Sequence, residues 1–168
     1  YFSPDVARSA YRVLSRAGFR VEVPVQDLCC GRPYYDSGML DEAKAALLRI
    51  MSALEEDLNG ETPIIVLEPG CASVFRDELP GLFPDDPLAR NLAGQTKLLA
   101  EFLMERGYEP PQIGGEAVLH LHCHHRALFD TEAEGRLLSS AGVSRMSPEP
   151  GCCGMAGAFG FEAAARYE

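Results

Sequence analysis

Two Cys-Cys-Gly turns constrain this chain more than any other feature of its sequence. The turns occupy residues 29–31 and 152–154, and two single cysteines, Cys71 and Cys123, bring the total to six in 168 residues. Adjacent cysteines bridge each other only with strain, and a disulfide framework is typical of small secreted proteins. The first residues show no basic segment followed by an apolar one, so nothing points to secretion. The paired cysteines therefore indicate metal ligation or redox chemistry.

The overall composition is that of an ordinary globular protein. Hydrophobic residues make up 46% of the chain and charged residues 24%, and no apolar run approaches the ~18 residues that cross a bilayer. The net charge of −10 would repel phosphate backbones. We expect a cytoplasmic domain with no transmembrane segment and no nucleic-acid partner, which reaches a membrane surface only through a parent complex.

Predicted helices and strands alternate along the chain. Helical spacing of apolar residues and capping residues predict helices over 4–17, 41–58, 88–106 and 131–141, and alternating or β-branched runs predict strands over 19–24, 63–67, 117–122 and 143–147. This order predicts an α/β fold with a mostly parallel sheet, in which ligands bind beyond the carboxyl ends of the strands. The cysteines follow the strands, so we expect all six at that edge.

The sequence also contains an internal repeat. Residues 12–18 align with residues 136–142 at an offset of 124, and the two Cys-Cys-Gly turns align at an offset of 123. We predict one cysteine-rich domain over 1–168, built from two βαβ-like pseudo-repeats, the first over 1–109 and an incomplete second over 116–168. The counterparts of Cys71 and Cys123 fall outside the chain, so we expect a fragment of a longer protein.

Six thiolates at one edge of a sheet favour iron, because the iron of a cluster prefers thiolate ligands. The predicted ligands are Cys29, Cys30, Cys71, Cys123, Cys152 and Cys153. Crowded thiolates need backbone N–H donors and cations nearby to offset their charge. The residues expected to provide this surrounding are Gly31, Arg32, Arg76, Arg126 and Gly154.

Three other interpretations compete with a cluster. His122 or His124 could join the cysteines around zinc, which would then stabilise an interaction module without redox activity. The cysteines could be buried small hydrophobic residues, as free cysteines often are. The adjacent pairs could also exchange disulfides, which requires an exposed cysteine of low pKa.

Four motifs of the sequence resemble those of the cysteine-rich CCG domain family. They are CCGRP at 29–33, LEPGC at 67–71, LHCH at 121–124 and GCCGMAG at 151–157. The family includes the cysteine-rich component of heterodisulfide reductase, the iron–sulfur components of glycolate oxidase and of anaerobic glycerol-3-phosphate dehydrogenase, and the carboxyl-terminal part of FAD-linked oxidases. The likeness is closest to the last group and covers most of the chain.

The resemblance implies a role in electron transfer. In that family, electrons pass from a substrate-reduced flavin through iron–sulfur clusters, here expected to be of the 4Fe-4S type, to an acceptor. The substrates are 2-hydroxy acids such as lactate, glycolate or 2-hydroxyglutarate. The implied partners are a flavin-binding domain or subunit, which holds FAD, and an electron acceptor. On this interpretation the six cysteines match the motif cysteines, and the chain catalyses nothing by itself.

Overall fold

The structure is a computed structural model that describes residues 4–147. In chain order its elements are α1 (Pro4–Arg16), α2 (Arg32–Asp36), α3 (Leu40–Ala53), α4 (Glu55–Asn59), β1 (Ile64–Val66), α5 (Pro69–Ser73), α6 (Leu79–Leu82), α7 (Pro87–Gln95), β2 (Thr96–Leu98), α8 (Leu99–Glu105), β3 (Glu116–Val118), α9 (Cys123–Leu128), α10 (Ala133–Ser140) and β4 (Ser144–Met146). A π-helical turn, Val74–Glu78, joins α5 to α6. The predicted turn with Cys152, Cys153 and Gly154 lies outside the described residues.

Both strand pairs are parallel. β1 pairs with β2, with Ile65 opposite Lys97, and β3 pairs with β4, with Ala117 opposite Arg145. Helices separate the paired strands along the chain, as parallel connections require. The predicted α/β class with mostly parallel pairing is confirmed, in the form of two small two-stranded sheets within the described part.

The prediction of one long helix over 88–106 was wrong, because β2 interrupts it. Thr96 is fully buried, and its hydroxyl donates to Leu92 O at 2.7 Å. The carboxylate of Glu101 accepts from Leu98 N at 3.0 Å at the start of α8. Pairing with β1 and these two side-chain bonds outweigh the helical periodicity of the sequence.

The predicted strand over 19–24 is also absent. Residues 19–24 lie in irregular backbone, although α1 before them begins at Pro4 as predicted. An extended segment forms a strand only where a neighbouring backbone completes its hydrogen bonds. The β-branched run over 63–67 is typical of a strand buried on both faces, but the residues of β1 are half-buried.

The main core lies around α3 and α4. The predicted apolar stripe is confirmed, since each of its members is buried: Ala43, Leu47, Ile50, Met51, Leu54 and Leu58. The helix over 41–58 breaks at Leu54, where α3 ends. Leu79, Ala89 and Leu92 complete this core from α6 and α7. Cys30 belongs to the same cluster, so the first Cys-Cys-Gly turn is anchored to the core.

Within residues 4–147, no helix combines the length and the apolar character needed to traverse a lipid bilayer.

Candidate metal centre

Two of the predicted ligands meet in the structure. Cys30 precedes α2, whereas Cys71 lies in the first turn of α5, just beyond β1. Their Sγ atoms are 2.9 Å apart, and both cysteines are free thiols. Cys30 is buried and Cys71 is half-buried. The packing of the first Cys-Cys-Gly turn against the end of β1 thus brings together two cysteines that are 41 residues apart in sequence.

Glycines bring the backbone close enough for this contact. Gly31 has φ +79°, and a Cβ added there would lie 3.1 Å from Ala43 O. A Cβ added at Gly70 would lie 2.9 Å from the carboxylate of Glu68. Both positions therefore favour glycine, the first for its conformation and its contact with α3, the second for its contact with Glu68.

Glu68 caps the helix that presents Cys71. Its Oε2 accepts from Cys71 N at 2.6 Å, and Pro69 takes the first helical position. Burial tends to raise the pKa of Glu68, but the N–H groups of Gly70 and Cys71 outweigh that effect and lower it. Glu68 is therefore ionised at neutral pH and fixes the orientation of the Cys71 backbone.

A hydrogen bond joins the two sulfurs. It lowers the pKa of Cys30 to about 7, against the opposing effect of burial. The same hydrogen bond raises the pKa of Cys71, as do burial and the neighbouring Glu68. Cys30 is thus the sulfur that carries negative charge first, and the thiolate is the form that binds metals.

Arg32 places a positive charge near the two cysteines. Its guanidinium donates to Ser73 Oγ at 2.6 Å and lies 2.6 Å from Glu78 Oε1 and 3.2 Å from Asp36 Oδ1. Two longer bonds reach Gly70 O. Arg32 therefore ties α2 to α5 and to the π-helical turn, which holds the two cysteines in place.

His124 is bound to the same network. Its Nδ1 lies 2.9 Å from Ser73 Oγ, which itself donates to Gly70 O at 2.9 Å. The hydroxyl has one proton, so Nδ1 is the donor to Ser73 and Nε2 keeps a free lone pair. Burial and the nearby Arg32 lower the pKa of His124, so the ring is neutral at pH 7. A neutral imidazole nitrogen is the form that ligates metals.

His122 is engaged differently. It caps α9, and its Nδ1 accepts from His124 N at 3.2 Å. Cys123 follows as the first residue of α9 with an exposed side chain, and its Sγ lies 4.0 Å from His122 Nδ1. Because His122 uses Nδ1 as a cap, His124 is the better candidate ligand of the two.

The structure thus gathers part of the predicted set. Cys29 is exposed beside Cys30, and α9, which begins with Cys123, packs on α5. Within residues 4–147, no group of three or more Cys, His, Asp or Glu side chains is close enough to hold a metal ion. Cys152, Cys153 and Gly154 lie outside the described residues.

Arg76, one of the three predicted arginines, has other surroundings. Arg76 donates to Thr96 O at 2.9 Å and to Leu128 O at 3.0 Å, and it pairs with Glu101 at 3.0 Å. These bonds join β2, α8 and the end of α9, and none of them reaches a cysteine. Arg126 is exposed on α9.

Sequence reasoning missed Ser73, Glu78 and Glu68 as neighbours of the cysteines. The Glu-Pro-Gly-Cys order carried a usable signal for Glu68, because an acidic cap followed by proline is typical of a helix start. Ser73 and Glu78 lay on helical turns downstream of Cys71 with no comparable signal.

The donors present suit an iron–sulfur cluster in kind. The adjacent sulfurs of Cys30 and Cys71, the lowered pKa of Cys30, and the nearby Arg32 are what a thiolate-ligated group requires. In that case Cys30 and Cys71 would hold it from this side, and Cys29 and Cys123 lie in the neighbouring turns.

Comparisons with known proteins agree with this picture. The family model described as "CCG: Cysteine-rich domain" matches residues 1–76. Lactate utilization protein A from Bacillus velezensis is 34% identical over 94% of this chain and 69% of its own length. The proteins of that name from Bacillus subtilis and Bacillus cytotoxicus are each 32% identical with the same coverage. No solved structure matches the chain.

Proposed function

Because this chain belongs to the CCG cysteine-rich domain family, with lactate utilization protein A among its relatives, we propose that it is an iron–sulfur domain that relays electrons during lactate oxidation. The observation that carries the proposal is the 2.9 Å approach of the Cys30 and Cys71 sulfurs, one from the turn before α2 and the other from the first turn of α5. A domain of this kind transfers electrons one at a time and forms no bond to the substrate.

The proposed cluster is of the 4Fe-4S type, with Cys29, Cys30, Cys71, Cys123, Cys152 and Cys153 as the candidate ligands. When bound, it would supply a site that accepts and releases single electrons. The protein's own contribution is to orient the thiolates and to place Arg32 and backbone N–H groups near them, which sets the reduction potential.

The proposed partners follow from this role. Electrons would come from a flavin, in an FAD-binding domain or subunit that oxidises a 2-hydroxy acid, and would leave to an acceptor. The relatives' name, lactate utilization protein A, makes lactate the first substrate to test, before glycolate and 2-hydroxyglutarate. The name also points to a system of several proteins, and the site of action proposed is the cytoplasm.

A zinc-stabilised module is the second candidate, because the ring of His124 is bound through Nδ1 to Ser73, in the network of Arg32 beside the cysteine turns. The two candidates differ in bound elements. We expect the full polypeptide, purified without oxygen, to contain iron and acid-labile sulfide, and we expect Cys71→Ser to lose most of both. Ser52→Ala, on the exposed side of α3, is the matched control that keeps them. Stoichiometric zinc bound to sulfur and nitrogen, without sulfide, would establish the module instead.

A further inference from the structure

An apolar groove among the described residues has no cysteine in its lining. It has a volume of about 730 Å³ and is lined mainly by apolar side chains. One wall is formed by residues 19–25, the other by residues 62–67, and the floor by α1 and by Phe102 of α8. Val23 is 70% exposed and Val25 98% exposed along the first wall. Two valines exposed to water in an apolar groove indicate that another segment or molecule covers this surface.

Both walls carry backbone groups without a partner in the described residues. Within residues 4–147, β1 pairs only with β2, and β2 does not line the groove. In the same part of the chain, residues 20–28 make no backbone–backbone hydrogen bonds. Unpaired N–H and C=O groups along the two walls can pair with one more strand.

The two walls pack on the same layer of helices. Residues 19–28 precede Cys29 along the chain, and β1 precedes Cys71. Val21 from the first wall and Ile65 from the second pack on the same cluster of buried side chains, Leu14, Phe102 and Leu103. An apolar groove between two segments on one helical layer leaves room for one more strand.

The second half of the chain shows what such a strand would look like. The turn after α10 contains backbone hydrogen bonds from Gly142 N to Ser139 O and from Val143 N to Leu138 O. α1 ends with the same two bonds, from Gly18 N to Ser15 O and from Phe19 N to Leu14 O, each displaced by 124 residues. The segment after α10 is β4, which pairs in parallel with β3. At the same displacement, the counterpart of β4 is residues 20–22.

We propose that a strand of the full polypeptide, preceding residue 1 and equivalent to β3, fills the groove between residues 19–25 and β1. Its position before α1 makes it parallel to both walls through a right-handed crossover. The relatives extend beyond the matched part, since the alignments cover 69% of their length and 94% of this chain. The strand would be apolar and would join the two walls into one continuous sheet.

The experiment compares backbone amide exchange in the 168-residue chain with that in the full polypeptide of the same gene. We expect residues 20–25 and the free edge of β1 to exchange at least about tenfold more slowly in the full polypeptide. Residues of β3 and β4 already have a partner and should exchange alike in both chains. Equal exchange of residues 20–25 in the two chains overturns the proposal.

A matched pair of variants adds an independent readout. Val23 and Val118 are 70% and 68% exposed, but only Val23 lines the groove. In the full polypeptide, Val23→Asp should lower the Tm by about 5 °C and abolish the slow exchange, and Val118→Asp should do neither. In the 168-residue chain neither substitution should change the Tm.

Other occupants give different results. If residues 148–168 fill the groove, residues 20–25 are already protected in the 168-residue chain. If a second copy fills it, protection appears only at concentrations where that chain dimerises in sedimentation. Either result overturns the proposal, and neither depends on whether a cluster is bound.

Discussion

At the scale of single residues, Gly31 sets how closely the two cysteine turns approach. Gly31 adopts a left-handed backbone conformation and rests against α3, while Gly70 lies against the Glu68 carboxylate. A Cβ at Gly31 would meet the backbone of α3, whereas a Cβ at Gly70 would meet only the end of the Glu68 side chain. The contact between the sulfurs therefore depends on the absence of a β-carbon at Gly31 as well as on the cysteines themselves.

Gly31→Ala tests this dependence, and Gly38→Ala is its matched control. The two glycines have φ of +79° and +75°, but a Cβ at Gly38 meets nothing within 4 Å. Gly38→Ala should lose about 1 kcal/mol from the left-handed conformation alone. Gly31→Ala should lose a further ~1–3 kcal/mol from the collision with Ala43. Equal losses in urea unfolding would show that the contact with α3 is unimportant.

Glu134 gives the fold a pH-dependent contribution. Burial raises the pKa of Glu134, and Glu101 and Asp130 raise it further, while His125 favours the ionised form. Glu134 Oε2 lies 3.3 Å from His125 Nε2 but forms no hydrogen bond with it, and Nε2 instead lies 3.2 Å from Asp130 O. The folded state thus holds the Glu134 proton more tightly than the unfolded chain does.

The direction of the pH dependence of stability follows from this difference in the pKa of Glu134. The contribution of Glu134 is complete below its ordinary pKa and is lost as the pH rises through the higher folded-state value. We expect Glu134→Gln to gain stability relative to the unmodified chain between about pH 4 and pH 7. Glu56→Gln, on the exposed face of α4, should follow the unmodified chain. Parallel curves for Glu134→Gln and the unmodified chain in denaturant titrations would refute the assignment.

The helix and strand elements show which features local sequence determines. The apolar spacing over 41–58 and the glycines after α1 and α10 were sufficient to predict helices there, because spacing and capping act over a few residues. The break between α3 and α4 was not predicted. The strand β2 was not predictable from the same rules. Thr96 and Leu98 fit a helical pattern, and the pairing with β1 that makes them a strand lies 32 residues away in sequence.

Glu101 is the residue that stabilises this unexpected junction. Its carboxylate accepts from Leu98 N at 3.0 Å and from Asp130 N at 2.9 Å and pairs with Arg76. It is 7% exposed. Glu101 thereby connects β2 and α8 to the loop between α9 and α10, which no sequence pattern indicated.

Glu101→Ala should therefore be far more harmful than Glu105→Ala one turn later on the same helix. Removing Glu101 leaves the charge of Arg76 without its carboxylate and two N–H groups without an acceptor, and it should cost about 3–5 kcal/mol. Glu105 pairs with Lys97 at an exposed position, and its loss should cost less than about 1 kcal/mol. Thermal and urea unfolding of both variants measure the difference. Losses of similar size would mean that β2 is stabilised by its pairing alone.

At the scale of the whole molecule, the α/β class with parallel pairing followed from the alternation of strand and helix patterns. The sequence also indicated that cysteines follow strands. Cys71 does follow β1 and meets Cys30 there, although no strand precedes Cys30 in the described part of the chain. Arg32 and His124 were expected near the cysteines, but Ser73 and Glu78 reach Arg32 through helix packing, which residue spacing did not indicate.

A redox titration of the full polypeptide under anaerobic conditions, followed by electron paramagnetic resonance, tests the central claim most directly. We predict a paramagnetic signal that appears on one-electron reduction, develops when lactate and the flavin partner are added, and disappears in Cys71→Ser while Ser52→Ala retains it. A polypeptide that carries its full metal content and yet shows no paramagnetic state at any potential would contradict the assignment of the cysteine turns to an electron-relay cluster.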